Sequence, residues 1–85
     1  MNKVISEEFV SANIVRVTLE HNGLQGGDAG HGGFVKILFE DVASTTMEIN
    51  GNEVSKFELT LRGDTERKTF IDAFKMIVKE LEENP

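Results

Sequence analysis

Apolar and polar residues alternate from Asn13 to Glu20, with Val15, Val17 and Leu19 on one side and Arg16, Thr18 and Glu20 on the other. A two-residue period marks a strand with one buried face, and it predicts a strand over roughly 9–20. The period returns in FVKILFEDV, where Val35, Ile37 and Phe39 share a face and Leu38 is an apolar exception on the other; a second strand is expected over 34–42. A third, 45–50, carries Met47 and Ile49 in register and runs into Asn50-Gly51. Both residues of that pair tolerate positive φ, so it suits a tight hairpin turn into a fourth strand, 53–62. Here Phe57, Leu59 and Leu61 alternate with Lys56, Glu58, Thr60 and Arg62.

After Gly63 the period lengthens. Phe70, Ile71, Phe74, Ile77, Val78 and Leu81 fall on one stripe at helical spacing, which predicts an amphipathic helix over 65–82. Asp64 is the natural N-cap and Glu66 complements the positive end of the helix dipole. Glu80, Glu82 and Glu83 crowd the negative end, so the last turn is expected to fray.

One apolar sheet face and one apolar helix stripe bury each other. The expected fold class is therefore α+β, with a two-layer ββββα order: a four-stranded antiparallel β-meander with one C-terminal amphipathic helix packed on one face, as a single domain over 1–85. The opposite sheet face is a mixed charged surface suited to cross-strand ion pairs, interrupted by Ile14, Phe34 and Leu38. Those three form a candidate interface for a homo-oligomer.

Between the first two strands lies HNGLQGGDAGHGG, residues 21–33, with six of the chain's eight glycines. That length exceeds what hairpin closure needs, and long loops in compact domains are commonly functional. Backbone N–H groups of Gly26, Gly27, Gly30, Gly32 and Gly33 are candidates to turn toward one point and form an anion-binding nest. Gly23 belongs to the same candidate ligand-binding set, and His21, Gln25 and His31 are candidate side-chain contacts to the ligand. Asp28 fits either a ligand contact or an Asx turn within GGDAG. His21, Asp28 and His31 also make a candidate metal set, at a spacing that matches no standard site. The loop opens onto a strand, not a helix, and has no Lys-Ser/Thr after its last glycine, so neither the P-loop nor the dinucleotide fingerprint fits.

Composition narrows the partners. Net charge is −6, spread so that residues 1–33, 34–63 and 64–85 each carry −2. Without a clustered basic surface, double-stranded nucleic acid and anionic membrane are poor partners. There is no cysteine, no Trp and no Tyr, which removes disulfides, thiolate zinc sites and most stacking platforms. The first fifteen residues are too polar for a signal peptide, and a cytoplasmic protein is expected. Ser6, Ser11, Ser44 and Ser55 have no histidine close in sequence, and one helix on one sheet encloses little space, so no catalysis is expected.

These features predict a small non-catalytic binding protein whose loop 21–33 binds or sequesters a small anionic metabolite, a nucleotide or nucleotide-derived signal being the leading candidate, with no cofactor. One alternative is an acidic protein-protein interaction module or inhibitor docking on a larger protein partner. The other is a metal site at His21, Asp28 and His31.

Overall fold

The computed structural model describes residues 2–85. In chain order the elements are β1 (Lys3–Val10), β2 (Ile14–His21), a single 3-10 turn (Ala29–His31), β3 (Phe34–Ala43), β4 (Met47–Ile49), β5 (Asn52–Val54), β6 (Lys56–Arg62) and α1 (Asp64–Glu83). The class is α+β: a four-stranded antiparallel sheet in the order β1-β2-β3-β6, a separate two-stranded β4-β5 sheet, and one C-terminal helix.

Two strand boundaries differ from the sequence reading. The segment 9–20 is not one strand, because Ser11-Ala12-Asn13 turns the chain between β1 and β2. The Ser11 N–H donates to the Asn13 carbonyl at 2.8 Å, and the Ser11 hydroxyl donates to Asn13 Oδ1 at 2.8 Å. A Ser/Asn turn of this kind closes through its side chains, without the glycine signature of a tight hairpin. Likewise 53–62 breaks at Ser55, whose carbonyl accepts from the Asp41 N–H at 2.8 Å. The Asn50-Gly51 turn forms with φ of 52° and 79°, but it joins β4 and β5 into a small arm that pairs only with itself. The sheet takes its fourth strand from Lys3–Val10 instead.

Register places Val15, Val17, Leu19 and His21 of β2 opposite Asp41, Phe39, Ile37 and Val35 of β3. Val35, Ile37 and Phe39 in turn face Leu61, Leu59 and Phe57 of β6. Apart from Asp41 and His21, these residues make the apolar side on which α1 lies, with Phe39 and Phe57 stacked at 5.0 Å between ring centroids. On the other side Arg16 pairs with Glu8 at 2.9 Å across β1 and β2, which raises the pKa of Arg16 through that hydrogen bond. Ser6 and Thr18 share a hydrogen bond at 3.0 Å on the same side. Charge along β1 (Lys3, Glu7, Glu8) also protects this outer edge from pairing with further strands.

The core is thin. Among the described residues Leu61 is the only buried apolar side chain, at 6% exposure. The helix rests its first half on β3 and β6, and from Phe74 onward every residue is exposed. The radius of gyration is 14.5 Å, against roughly 12 Å for a compact domain of this length. No helix among the described residues is long and apolar enough to cross a membrane.

Candidate functional site

The glycine-rich segment is a structured latch. Asn22 closes its neck by donating from Nδ2 to the Gly32 carbonyl at 2.9 Å and accepting at Oδ1 from the Phe34 N–H at 3.0 Å. Gln25 Nε2 donates to the Asn22 carbonyl at 2.6 Å. Asp28 caps the 3-10 turn, accepting from the Gly30 N–H at 2.9 Å, with His31 Nδ1 at 3.3 Å from the same oxygen. This is the Asx-type role that GGDAG suggests. Gly32 ends the turn in the left-handed conformation at φ 83°, its N–H donating to the Ala29 carbonyl.

The latch engages the start of α1. The carboxylate of Asp64 accepts from the Gln25 N–H at 3.0 and 3.1 Å and from the Gly26 N–H at 2.6 Å. In return the N–H groups of Asp64 and Thr65 donate to the Gly27 carbonyl at 3.0 and 3.3 Å, and the Gly63 N–H donates to the Gly33 carbonyl at 2.8 Å. The first turn of a helix has N–H groups without helical acceptors, and here a loop carbonyl serves two of them. The N-cap is therefore Gly63, with no side-chain cap bond, and Asp64 is the first helical residue. That corrects the expected N-cap: with Gly27 serving the helix, the Asp64 carboxylate is available to the loop.

Two glycines make this closeness achievable. At Gly63, φ is 105° and a Cβ would lie 2.8 Å from the Ala29 backbone nitrogen and 2.9 Å from the Asp28 carbonyl carbon. At Gly27, φ is 75° and a Cβ would meet the His31 ring at 3.0 Å.

Of the five glycine N–H groups expected to converge on an external anion, three have partners inside the chain: Gly26 on Asp64, Gly30 on Asp28 and Gly32 on Ala29. The concavity formed by Gln25 and Gly26 already holds an anion, the Asp64 carboxylate. Gly23 and Gly33 lie at the neck, the latter with its Cα turned toward Asp64. His21 stands apart from Asp28 and His31, and no three His, Cys, Asp or Glu side chains among the described residues are grouped to share a metal ion. Ile14, Phe34 and Leu38 are all half-buried: Phe34 lies opposite Arg62, Leu38 opposite Glu58, and Ile14 at a bulge opposite Ala43.

Beside the latch, between α1 and the sheet, lies a cleft of about 230 Å³. Leu19, Val35, Ile37 and Leu61 form its sheet wall, and Phe70, Ile71 and Phe74 its helix wall. Two polar side chains line it, His21 and Arg67. His21 Nδ1 accepts from the Gly23 N–H at 3.0 Å, so the neutral ring carries its proton on Nε2. Arg67 Nη1 is buried with no hydrogen-bond partner. The sequence reading missed Arg67, although a signal was present: Phe70, Ile71 and Phe74 follow it at i+3, i+4 and i+7, which places a cation within the apolar stripe. The role of Asp64 carried no local signal, because its loop partners lie 38 and 39 residues earlier.

The chain matches no protein-family model, no curated protein and no solved structure.

Proposed function

We propose that this is a non-catalytic, cytoplasmic binding protein that takes a small anionic ligand with an apolar or aromatic body, of which a nucleotide fragment is one type, in the cleft between α1 and the sheet. The observation that carries the reading is the unpartnered Nη1 of Arg67 in an otherwise apolar cleft. Buried donors are nearly always satisfied, and leaving a charged one without an acceptor costs upwards of about 1–3 kcal/mol. A ligand carboxylate or phosphate supplies that acceptor while its body lies against Phe70 and Phe74, whose rings stand 6.0 Å apart edge to face. His21 donates from Nε2 to fix orientation. The remaining loop residues, Gln25 to Gly33, then serve as the wall that holds the helix start in place, not as ligand contacts.

Native mass spectrometry of freshly purified protein, followed by titration calorimetry with adenosine monophosphate and benzoate as probes, tests this. Retained mass or probe binding that disappears in Arg67→Met supports the reading. Arg67→Met is expected to fold at least as well as the parent, since an apolar chain of similar length replaces a half-buried cation whose Nη1 has no partner. Binding that survives Arg67→Met, or a protein that binds neither probe and carries no added mass, overturns it.

A further inference from the structure

The sheet side on which α1 rests is covered at one end only. Leu19, Ile37 and Leu61 face the helix across the cleft. Val15 and Val17 of β2, both half-buried, and Ile5 and Phe9 of β1, with Glu7 between them, lie on the same side by register, toward the open edge. Phe9 is 54% exposed and Ile5 45%. The helix shows the same division. Its stripe continues past the cleft through Ile77, Val78 and Leu81, and Leu81 is 69% exposed.

The chain cannot bring its own two surfaces together cheaply. The Asp64 latch sets the direction in which α1 leaves the sheet, and residues 64–83 contain neither Gly nor Pro at which the helix could bend. Accessible surface measures the consequence. The chain exposes 6222 Å², about 1,200 Å² more than the roughly 5,000 Å² of a folded monomer of this mass. An interface of standard size removes about 800 Å² from each partner.

We infer that a second copy of this chain covers that side, forming a two-fold homodimer in which the second half of each α1 lies on the bare part of the partner's sheet. The sheet lacks an apolar helix stripe, and the helix lacks an apolar surface to rest on. One copy offers both, and a two-fold axis satisfies both deficits with a single patch. The interface is thus on the helix side, opposite the face that carries Ile14, Phe34 and Leu38. It does not depend on whether the cleft holds a ligand.

Sedimentation velocity of the whole protein across about two decades of micromolar concentration is the test. The expected species is twice the 9.4 kDa chain mass, with a melting temperature that rises with protein concentration. Leu81→Glu is expected to weaken the dimer at least about tenfold, since it buries an unpaired charge at the interface. In the single chain Leu81 is mostly solvated, so the substitution leaves folding intact, which circular dichroism checks. Leu38→Glu, on the opposite face, is expected to leave the dimer unchanged. A 9.4 kDa species at every concentration with a concentration-independent melt overturns the inference, and so does a dimer that dissociates in Leu38→Glu but not in Leu81→Glu.

Discussion

The two ends of α1 are held by opposite means. At its N-terminus the helix is fixed by polar closure: Asp64, Thr65 and Gly63 exchange seven backbone-involving contacts with residues 25–33, over distances of 2.6–3.4 Å. Few apolar groups are buried there. At its C-terminal half the stripe is apolar and exposed, and nothing among the described residues covers it. The difference shows what a very small core can and cannot do. With Leu61 as the one buried apolar side chain among the described residues, the domain lacks the apolar area to orient a twenty-residue helix by burial alone, so a network of short hydrogen bonds sets the direction. The apolar area thereby left over is what a partner surface needs.

Breaking the polar end has the largest expected effect. Gly63→Ala adds a Cβ within 3 Å of two backbone atoms, Ala29 N and Asp28 C, at a φ of 105°; neither atom yields as a flexible side chain would. A cost of about 3 kcal/mol is expected, a large share of the stability of so small a domain and equivalent to a fall of roughly 12–24 °C in Tm. Gly51→Ala is the control. Its φ of 79° is also positive, but nothing lies within 4 Å, so only the left-handed backbone penalty of about 1 kcal/mol applies. Equal losses in the two variants, by urea unfolding, would show that conformation and not close approach is what Gly63 provides.

Asp64→Ala comes next. It removes the acceptor for the Gln25 and Gly26 N–H groups but leaves the Gly27 carbonyl bonded to the helix start. Water reaches these amides in part, so about 1–2 kcal/mol is expected instead of a full burial penalty. The clearer readout is local. Amide exchange at Gln25 and Gly26 should accelerate while the β2–β3 ladder keeps its protection; unchanged exchange in the loop would mean that Asp64 does not hold it.

What was legible in the sequence follows the same division between short-range and long-range order. β2, β3, the Asn50-Gly51 turn and α1 each carry their own period or turn chemistry within a few residues; β3, the turn and α1 form at or near their expected bounds, and β2 keeps its expected end but starts at Ile14, five residues later than expected. β1 was hidden because Glu7 and Glu8 fall mid-strand, so neither face reads as apolar. Its turn, Ser11-Ala12-Asn13, closes through side chains and lacks a glycine signal. The loop was legible as a special place but not in its role. An anion nest and a helix latch demand the same glycines, and what distinguishes them is the position of one carboxylate nearly forty residues away. Arg67 was readable in principle, from its place within the stripe.

The smallest expected effect sharpens the comparison from the solvated side of α1. Lys68 donates to Asp72 at 2.6 Å, one turn on, and that hydrogen bond holds the Asp72 carboxyl below its ordinary pKa. A carboxyl with a lowered folded-state pKa adds stability above its ordinary value, and that contribution is lost as pH falls through the lowered one. The pair is fully exposed, and lysine precedes the acid, the weaker order along a helix. Asp72→Asn should therefore shift the urea midpoint only slightly at neutral pH, less in high salt, and not at all once the pH is below the lowered pKa. A shift as large as that of Asp64→Ala would mean that surface pairing orients α1 as strongly as the latch does, and the contrast between its two ends would fail.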